Sequence, residues 1–194
     1  MKEKRRYSST LRQEQAEATR ARILEAALAE MTPGATELPF ERVAARVPVS
    51  VRTVYRYFPT QRDLLAAMGA ELENRTGWHA DQVTAENMGA LTRELFVYLD
   101  KNFGMEESAS PNAMDLAKEH WRGRRISAVE RVIGPLTKDL DPDLARGVMA
   151  VFSGLMRLPF LAAMEQHWGL NGEQSGRAIE WAINALIEDL QHGS

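Results

Sequence analysis

At 194 residues, 44 % of them hydrophobic, the chain can form one large or two small domains and has ample apolar surface for a core. It has no cysteine, which excludes disulfides and thiolate metal sites. The net charge of −3 hides an asymmetry: residues 1–75 hold 13 Lys/Arg and 10 Asp/Glu (+3), whereas residues 76–194 hold 11 and 17 (−6), so the front is the half suited to a polyanion.

The basic start, Met1 to Arg6, is followed by no apolar stretch, so it does not read as a secretory signal. Residues 1–9 are expected to be a disordered basic arm that could lie along phosphates or enter a minor groove. Thr10 and Gln13 form a possible capping box. The first helix is then expected to reach about Met31, burying Ile23, Leu24, Ala27, Leu28 and Met31, with Pro33-Gly34 ending it.

Phe40, Val43, Ala44 and Val47 are spaced i, i+3, i+4, i+7, the pattern of one apolar helix face. Pro39 suits a first helical position. Pro48 interrupts, and Ser50 is a good N-cap for a new helix. Val51, Val54 and Phe58 give that helix its apolar side, leaving Arg52, Thr53, Arg56 and Tyr57 on the other. Two short helices joined by a tight turn are therefore predicted over residues 39–61. Arg42 through Arg62 hold five Arg and no acidic residue, a bias that favours a polyanion.

The residue types fit duplex DNA. Arg52 and Arg56, one turn apart, can fork onto guanine or phosphate. Thr53 can offer a hydroxyl to a base edge and a methyl to thymine. Tyr55 and Tyr57 can donate to phosphate oxygens. Ser50 and the free N–H groups behind it make an anion site. Arg52 and Thr53 are assigned to base edges, Ser50, Tyr57 and Gln61 to phosphates, and Tyr55 and Arg56 to either. Thr60 and Asp63 signal a further cap, and a fourth helix buries Leu64, Leu65, Met68 and Leu72 before fading at Asn74 to Gly77.

The order Thr53-Val54-Tyr55-Arg56-Tyr57-Phe58-Pro59-Thr60-Gln61, then Leu64-Leu65, closely resembles the helix-turn-helix signature of the TetR (tetracycline-repressor) family of bacterial transcription regulators. Thr19 to Ala27 resembles that family's first helix, and Val43-Ala44 with Val49-Ser50 its second helix and turn. The resemblance covers roughly residues 12 to 72. The family usually has Gly where Pro48 stands, so the turn here must be built without a left-handed residue at this position. It commonly has a phosphate-binding Lys where Gln61 stands. Gln61 can donate without the charge, and Arg62 can supply the charge.

Beyond residue 76 lie all four Trp, all four His and six of nine Met. Met88, Leu91, Leu95, Phe96 and Leu99 mark a helix ending near Gly104, and Met105 to Ser110 reads as a loop. Residues 112–133 read as one or two helices with a possible joint at Trp121 to Arg125. Asp141-Pro142 opens what reads as one long helix to Trp168-Gly169. Asn171-Gly172 is a turn, and a last helix runs to about Gln191 with Ile179, Ala182, Ile183, Leu186 and Leu190 on one face. No segment alternates as a strand does. Val148 to Met164 is the nearest approach to a membrane-length apolar run, but Ser153, Gly154 and Arg157 interrupt it, so no membrane partner is expected and the protein is expected in the cytoplasm.

A helix apolar on all sides must be buried on all sides, so the 148–164 run calls for a partner chain, a pocket or both. Ser153, Gly154, Ala162 and Ala163 would let another helix approach, and Ala178, Trp181 and Ala185 form a second face on the last helix. The resemblance independently implies that the last two long helices pair with their copies in a dimer and that the preceding helices enclose an effector pocket. Met88, Phe96, Tyr98, Met114, Trp121, Phe152 and Met156 could line a pocket for an apolar ligand or simply pack the core. Arg157 could meet a carboxylate, the surface or an anionic ligand. His120 and His167 show no metal-ligand spacing, so no metal or cofactor is expected.

The expected architecture is all-α: a three-helix helix-turn-helix DNA-binding domain with its linking helix over residues 1–75, and a helical ligand-binding and dimerisation domain over 76–194. The expected function is a homodimeric regulator, most simply a repressor, on a pseudo-palindromic double-stranded operator, released by a small, largely apolar effector. The competing classes are an enzyme, for which no phosphate loop, nucleophile elbow or paired-His motif appears, and a helical small-molecule-binding dimer without DNA binding.

Overall fold

The computed structural model describes residues 2–30, 38–103 and 113–192, with side chains over 11–30, 38–102 and 121–192. Among these residues the chain forms nine α-helices, one 3-10 turn and no strand. No single helix among them is long and apolar enough to cross a membrane.

Helix α1 spans Lys2–Ala29. The arm expected to be disordered is thus helical, and Thr10 lies inside the helix rather than capping it. The physical reason is local: residues 2–9 contain no Pro or Gly and are rich in Lys, Glu and Arg, which lose little freedom in a helix. Ile23, Leu24, Ala27 and Leu28 are buried as expected. Met31 and the Pro33-Gly34 terminator lie outside the described residues.

Helix α2 spans Phe40–Arg46 with Pro39 as its N-cap, and buries Phe40, Val43 and Ala44. Helix α3 spans Val51–Tyr57. Between them the Val49 N–H donates to the Val47 carbonyl at 2.6 Å. This closes a three-residue turn around Pro48, a geometry that a φ near −65° suits. The reversal therefore needs no glycine. Val54 and Phe58 drop into the core beneath α3. Helix α4, Gln61–Thr76, starts in a full Thr60–Asp63 capping box and stops at Gly77, whose φ of 71° is left-handed. It packs on α1 on one side and, on the other, on α5 (Met88–Phe103) and α6 (Ala113–Ile133).

The α6 helix is continuous, so the expected joint at Trp121 to Arg125 does not exist. Gly123 faces open space, where its low helix propensity is a penalty of about 1 kcal/mol and not a break. A 3-10 turn over Gly134–Thr137 follows. The expected loop over Met105 to Ser110 lies outside the described residues.

The expected single helix over 141–168 is two: α7, Pro142–Leu155, and α8, Leu158–Trp168, bent by 65°. Pro159 explains the break, because it has no N–H to return to the turn before it and its ring clashes with that turn's carbonyl. The bend also corrects the idea of one helix buried on all sides. Phe152, Met156 and Leu161 are buried, while Val151 and Phe160 face outward.

The last helix, α9 (Gly172–His192), packs most extensively along α5. Small residues permit the approach: a Cβ at Gly176 would lie 2.8 Å from Arg93 Cγ and 3.3 Å from both its Cα and its carbonyl oxygen. Gly176→Val should therefore destabilise the fold by about 1–3 kcal/mol through overpacking. The midpoint of urea unfolding checks this, and an unchanged midpoint would mean the two helices can separate freely.

Candidate functional site

The α3 helix is held from its first residue. Ser50 Oγ accepts the Thr53 N–H at 3.1 Å, and the two hydroxyl oxygens lie 2.9 Å apart. Val54 and Phe58 anchor the inner face, and Val51 and Tyr57 pack partly against the same core. Arg52, Tyr55 and Arg56 remain exposed on the outer face.

The remaining predicted contacts are less free than the sequence implied. The Tyr55 ring meets Phe40 edge-on at 4.6 Å, which fixes its ring and leaves the side chain half exposed. The Arg56 guanidinium lies 5.1 Å from the Tyr57 ring centroid. Gln61 Nε2 donates to the Leu38 carbonyl at 3.2 Å, so this side chain ties α4 to the segment entering α2. Arg62 is exposed beside it.

The five arginines of residues 42–62 divide into two sets. Arg42 and Arg46 both pair with Glu30, which is 5 % exposed; the Arg42 Nε lies 2.7 Å from Glu30 Oε2, and Arg46 Nε donates to Oε1. This ionic clasp fixes α2 to the end of α1. Arg52, Arg56 and Arg62 have no ion pair among the described residues, and they are the charges left for a polyanion. Glu30 went unnoticed in the sequence because it lies outside the apolar pattern that marks the core.

The clasp also makes stability pH-dependent. Arg46, by hydrogen bonding, holds the Glu30 carboxyl below its ordinary range against the opposing effect of burial, and Arg42 assists by charge. A carboxyl with a depressed folded pKa contributes stability above its unfolded pKa and loses it as pH falls towards the folded value. Stability from this group should therefore be intact at about pH 6.5 and begin to fall near the ordinary carboxyl pKa, so that it is already reduced at about pH 4, and Arg46→Ala should lessen that difference. Urea unfolding at both pH values tests this. A variant as acid-sensitive as the parent would put the effect elsewhere.

Behind this unit lies a cavity of about 880 Å³ walled by α4, α5, α6, α7 and the start of α8. Of the predicted effector residues, Phe96, Trp121, Met156 and Arg157 line it. Met88 and Phe152 are fully buried core side chains off its wall. Tyr98 is also off it, its hydroxyl accepting from Arg75 at 3.1 Å. The Met114 side chain lies outside the described residues. Ser153 and Gly154, expected at a dimer seam, line the cavity, with Arg125 Nε donating to Ser153 Oγ at 3.2 Å. The bend frees Arg157 from any buried position: it is the exposed residue between α7 and α8.

Leu72, Leu95, Leu99, Arg122, Arg125 and Met149 also line the cavity and were missed. The two arginines fall in the run taken for a joint; spacing 122 and 125 on a continuous helix would have put them on one face. Burial, then Arg157, then Arg122 push the Arg125 guanidinium below its ordinary pKa.

The outer faces of α7, α8 and α9 carry the second unassigned surface. Leu144 and Val151 are 55 % and 52 % exposed, Trp168 78 % and Trp181 73 %. Ala178 and Ala185 are exposed on the Trp181 stripe, and Ala162 and Ala163 are half-buried in α8.

Residues 23–68, which hold the end of α1 and all of α2 and α3, match a family model described as bacterial regulatory proteins, tetR family. No curated protein and no solved structure matches the chain.

Proposed function

Because the chain is a DNA-binding transcriptional regulator of the TetR family, we propose that it works as a homodimeric repressor, with residues 1–75 reading an operator and 76–194 binding an effector and a second copy. The observation that carries the DNA-reading assignment is the α3 outer face, where Arg52 and Arg56 stand exposed and free of ion pairs on a helix fixed by Ser50 and the core. In this reading Arg52 and Thr53 reach base edges. Ser50, Tyr57 and Arg62 hold phosphates, Gln61 braces α4 and offers its second N–H, and Tyr55 and Arg56 serve either role.

One short helix reads few base pairs, so two must act together on half-sites about 34–36 Å apart or a multiple of that. The large apolar side chains exposed on α7, α8 and α9, Trp168 and Trp181 above all, support pairing with a second copy, since exposed apolar surface of this kind is what an interaction site buries. The cavity supports an effector, and α4 supports the link: at about 24 Å for 16 residues, it reaches from the cavity, through Leu72, to Gln61 beside the reading helix.

Selection of bound fragments from genomic DNA, followed by salt-dependent binding to the recovered duplex, tests the reading. Arg52→Ala should weaken the operator by about 1–3 kcal/mol and relax preference at one or two base pairs. Tyr57→Phe should weaken all sequences alike. If Arg52→Ala leaves the ranking of operator variants intact, Arg52 does not read bases.

A further inference from the structure

The cavity wall combines two chemistries. Phe96, Trp121 and Met156 belong to a largely hydrocarbon lining, and its volume falls within the range of about 300–1,000 Å³ typical of small-molecule sites. Four arginines, Arg122, Arg125, Arg146 and Arg157, also line it, against one carboxylate, Glu130. Arg146 pairs with Asp143. The other three have no carboxylate partner among the described residues, and Arg125 is half-buried with only the Ser153 hydroxyl as acceptor.

We propose that this cavity takes an amphipathic organic anion, its carboxylate or sulfonate held by Arg125 with Arg122 and Arg157 and its apolar body against the hydrocarbon wall. This rests on the effector reading above and names its ligand class. Guanidinium groups match such anions with paired, charge-assisted hydrogen bonds. A neutral ligand would strip water from Arg125 and return at most a weaker, uncharged acceptor, which is unfavourable for a charge. A cationic ligand would add a fourth like charge. Mutual repulsion and burial already disfavour the charged form of Arg125, and an anion relieves both. Arg124, between the anion-holding residues on α6, pairs with Glu73 of α4, so capture of the anion bears on the helix that leads to the DNA-reading unit.

The test uses the full-length protein and three probes with one tail: dodecanoate, dodecan-1-ol and dodecyltrimethylammonium, each below its micelle-forming concentration, titrated calorimetrically. Dodecanoate should bind about tenfold or more tighter than the alcohol, as expected for charged hydrogen bonds, and the cation weakest. Arg125→Gln should remove the preference for the anion. Arg157→Gln, at an exposed position, should reduce it and serves if the first variant melts early. Equal affinity for all three probes, binding of none, preference for the cation, or an unchanged anion preference in both variants would overturn the proposal. Release of selected operator DNA is measured separately. Arginine-dependent binding of dodecanoate without release would keep the anion site and remove the effector reading. Release by the alcohol alone would do the reverse.

Discussion

Trp181→Glu is expected to convert the proposed dimer into monomers that have lost most of their affinity for the operator. Trp181 is 73 % exposed on α9, between Ala178 and Ala185, so most of a large aromatic side chain stands in water. Trp at the centre of an interface typically carries about 2–4 kcal/mol. A two-fold axis places two copies in the same seam, and glutamate adds a charge that the seam must desolvate. Sedimentation at micromolar concentration should show a monomer with unchanged helix content. Operator affinity should fall with it, because one reading helix alone keeps only half of the contacts. Trp181→Phe should remain a dimer. A Trp181→Glu protein that stays dimeric would move the seam to another face, and a native monomer would remove the homodimer from the proposal altogether.

Arg124→Leu should destabilise the protein by about 3 kcal/mol, the lower end of what is lost when one partner of a buried ion pair is removed. Glu73 on α4 is 5 % exposed. Arg124 on α6 meets it twice, with Nε 2.5 Å from Oε1 and a terminal nitrogen 2.6 Å from Oε2. His79 Nδ1 is more distant at 3.7 Å. Arg124 itself is partly exposed, which places the expected effect at the lower end. Without it, Glu73 is a buried charge with no close cation. Glu73→Gln added to Arg124→Leu should recover much of the loss, since the charge is then gone. Denaturant unfolding of the single and double variants closes the cycle. Additive losses would show that the pair does not couple α4 to α6. The same variants should lose part of any effector-driven release of DNA, because this pair joins the cavity-bearing helix to α4.

A second clasp holds α4 to the reading unit. Arg75 donates to Glu25 of α1 at 2.5 Å, to Glu71 at 2.8 Å and to Tyr98 of α5 at 3.1 Å. With the Glu73 pair, α4 is thus tied by ion pairs to α1 and α6 and by a hydrogen bond to α5. None of these partners is near in sequence except Glu71. That is why periodicity could place α4 and its buried Leu64, Leu65, Met68 and Leu72, yet reveal nothing of what restrains it.

Local chemistry determined much of this protein. The Ser50 and Thr60 caps, the apolar stripes of α1 to α5, the Gly77 stop and the signature around Tyr55 to Gln61 depend on residues within a few positions of one another. Such interactions are written in spacing. The helical arm and the unbroken α6 were local too, and were misread by giving polarity and one glycine more weight than helix propensity. Pro159 was equally visible, and its effect was hidden by the apolar residues around it. Tertiary structure alone decided the rest: that Arg42 and Arg46 serve Glu30, that Gln61 reaches Leu38, that Ser153 and Gly154 face a cavity, and that four arginines line it. Each depends on which helix faces are brought together across tens of residues. A charged side chain reads the same in sequence whether it meets a carboxylate, a ligand or water, because its long stem can reach any of them and only the surrounding fold fixes which is there.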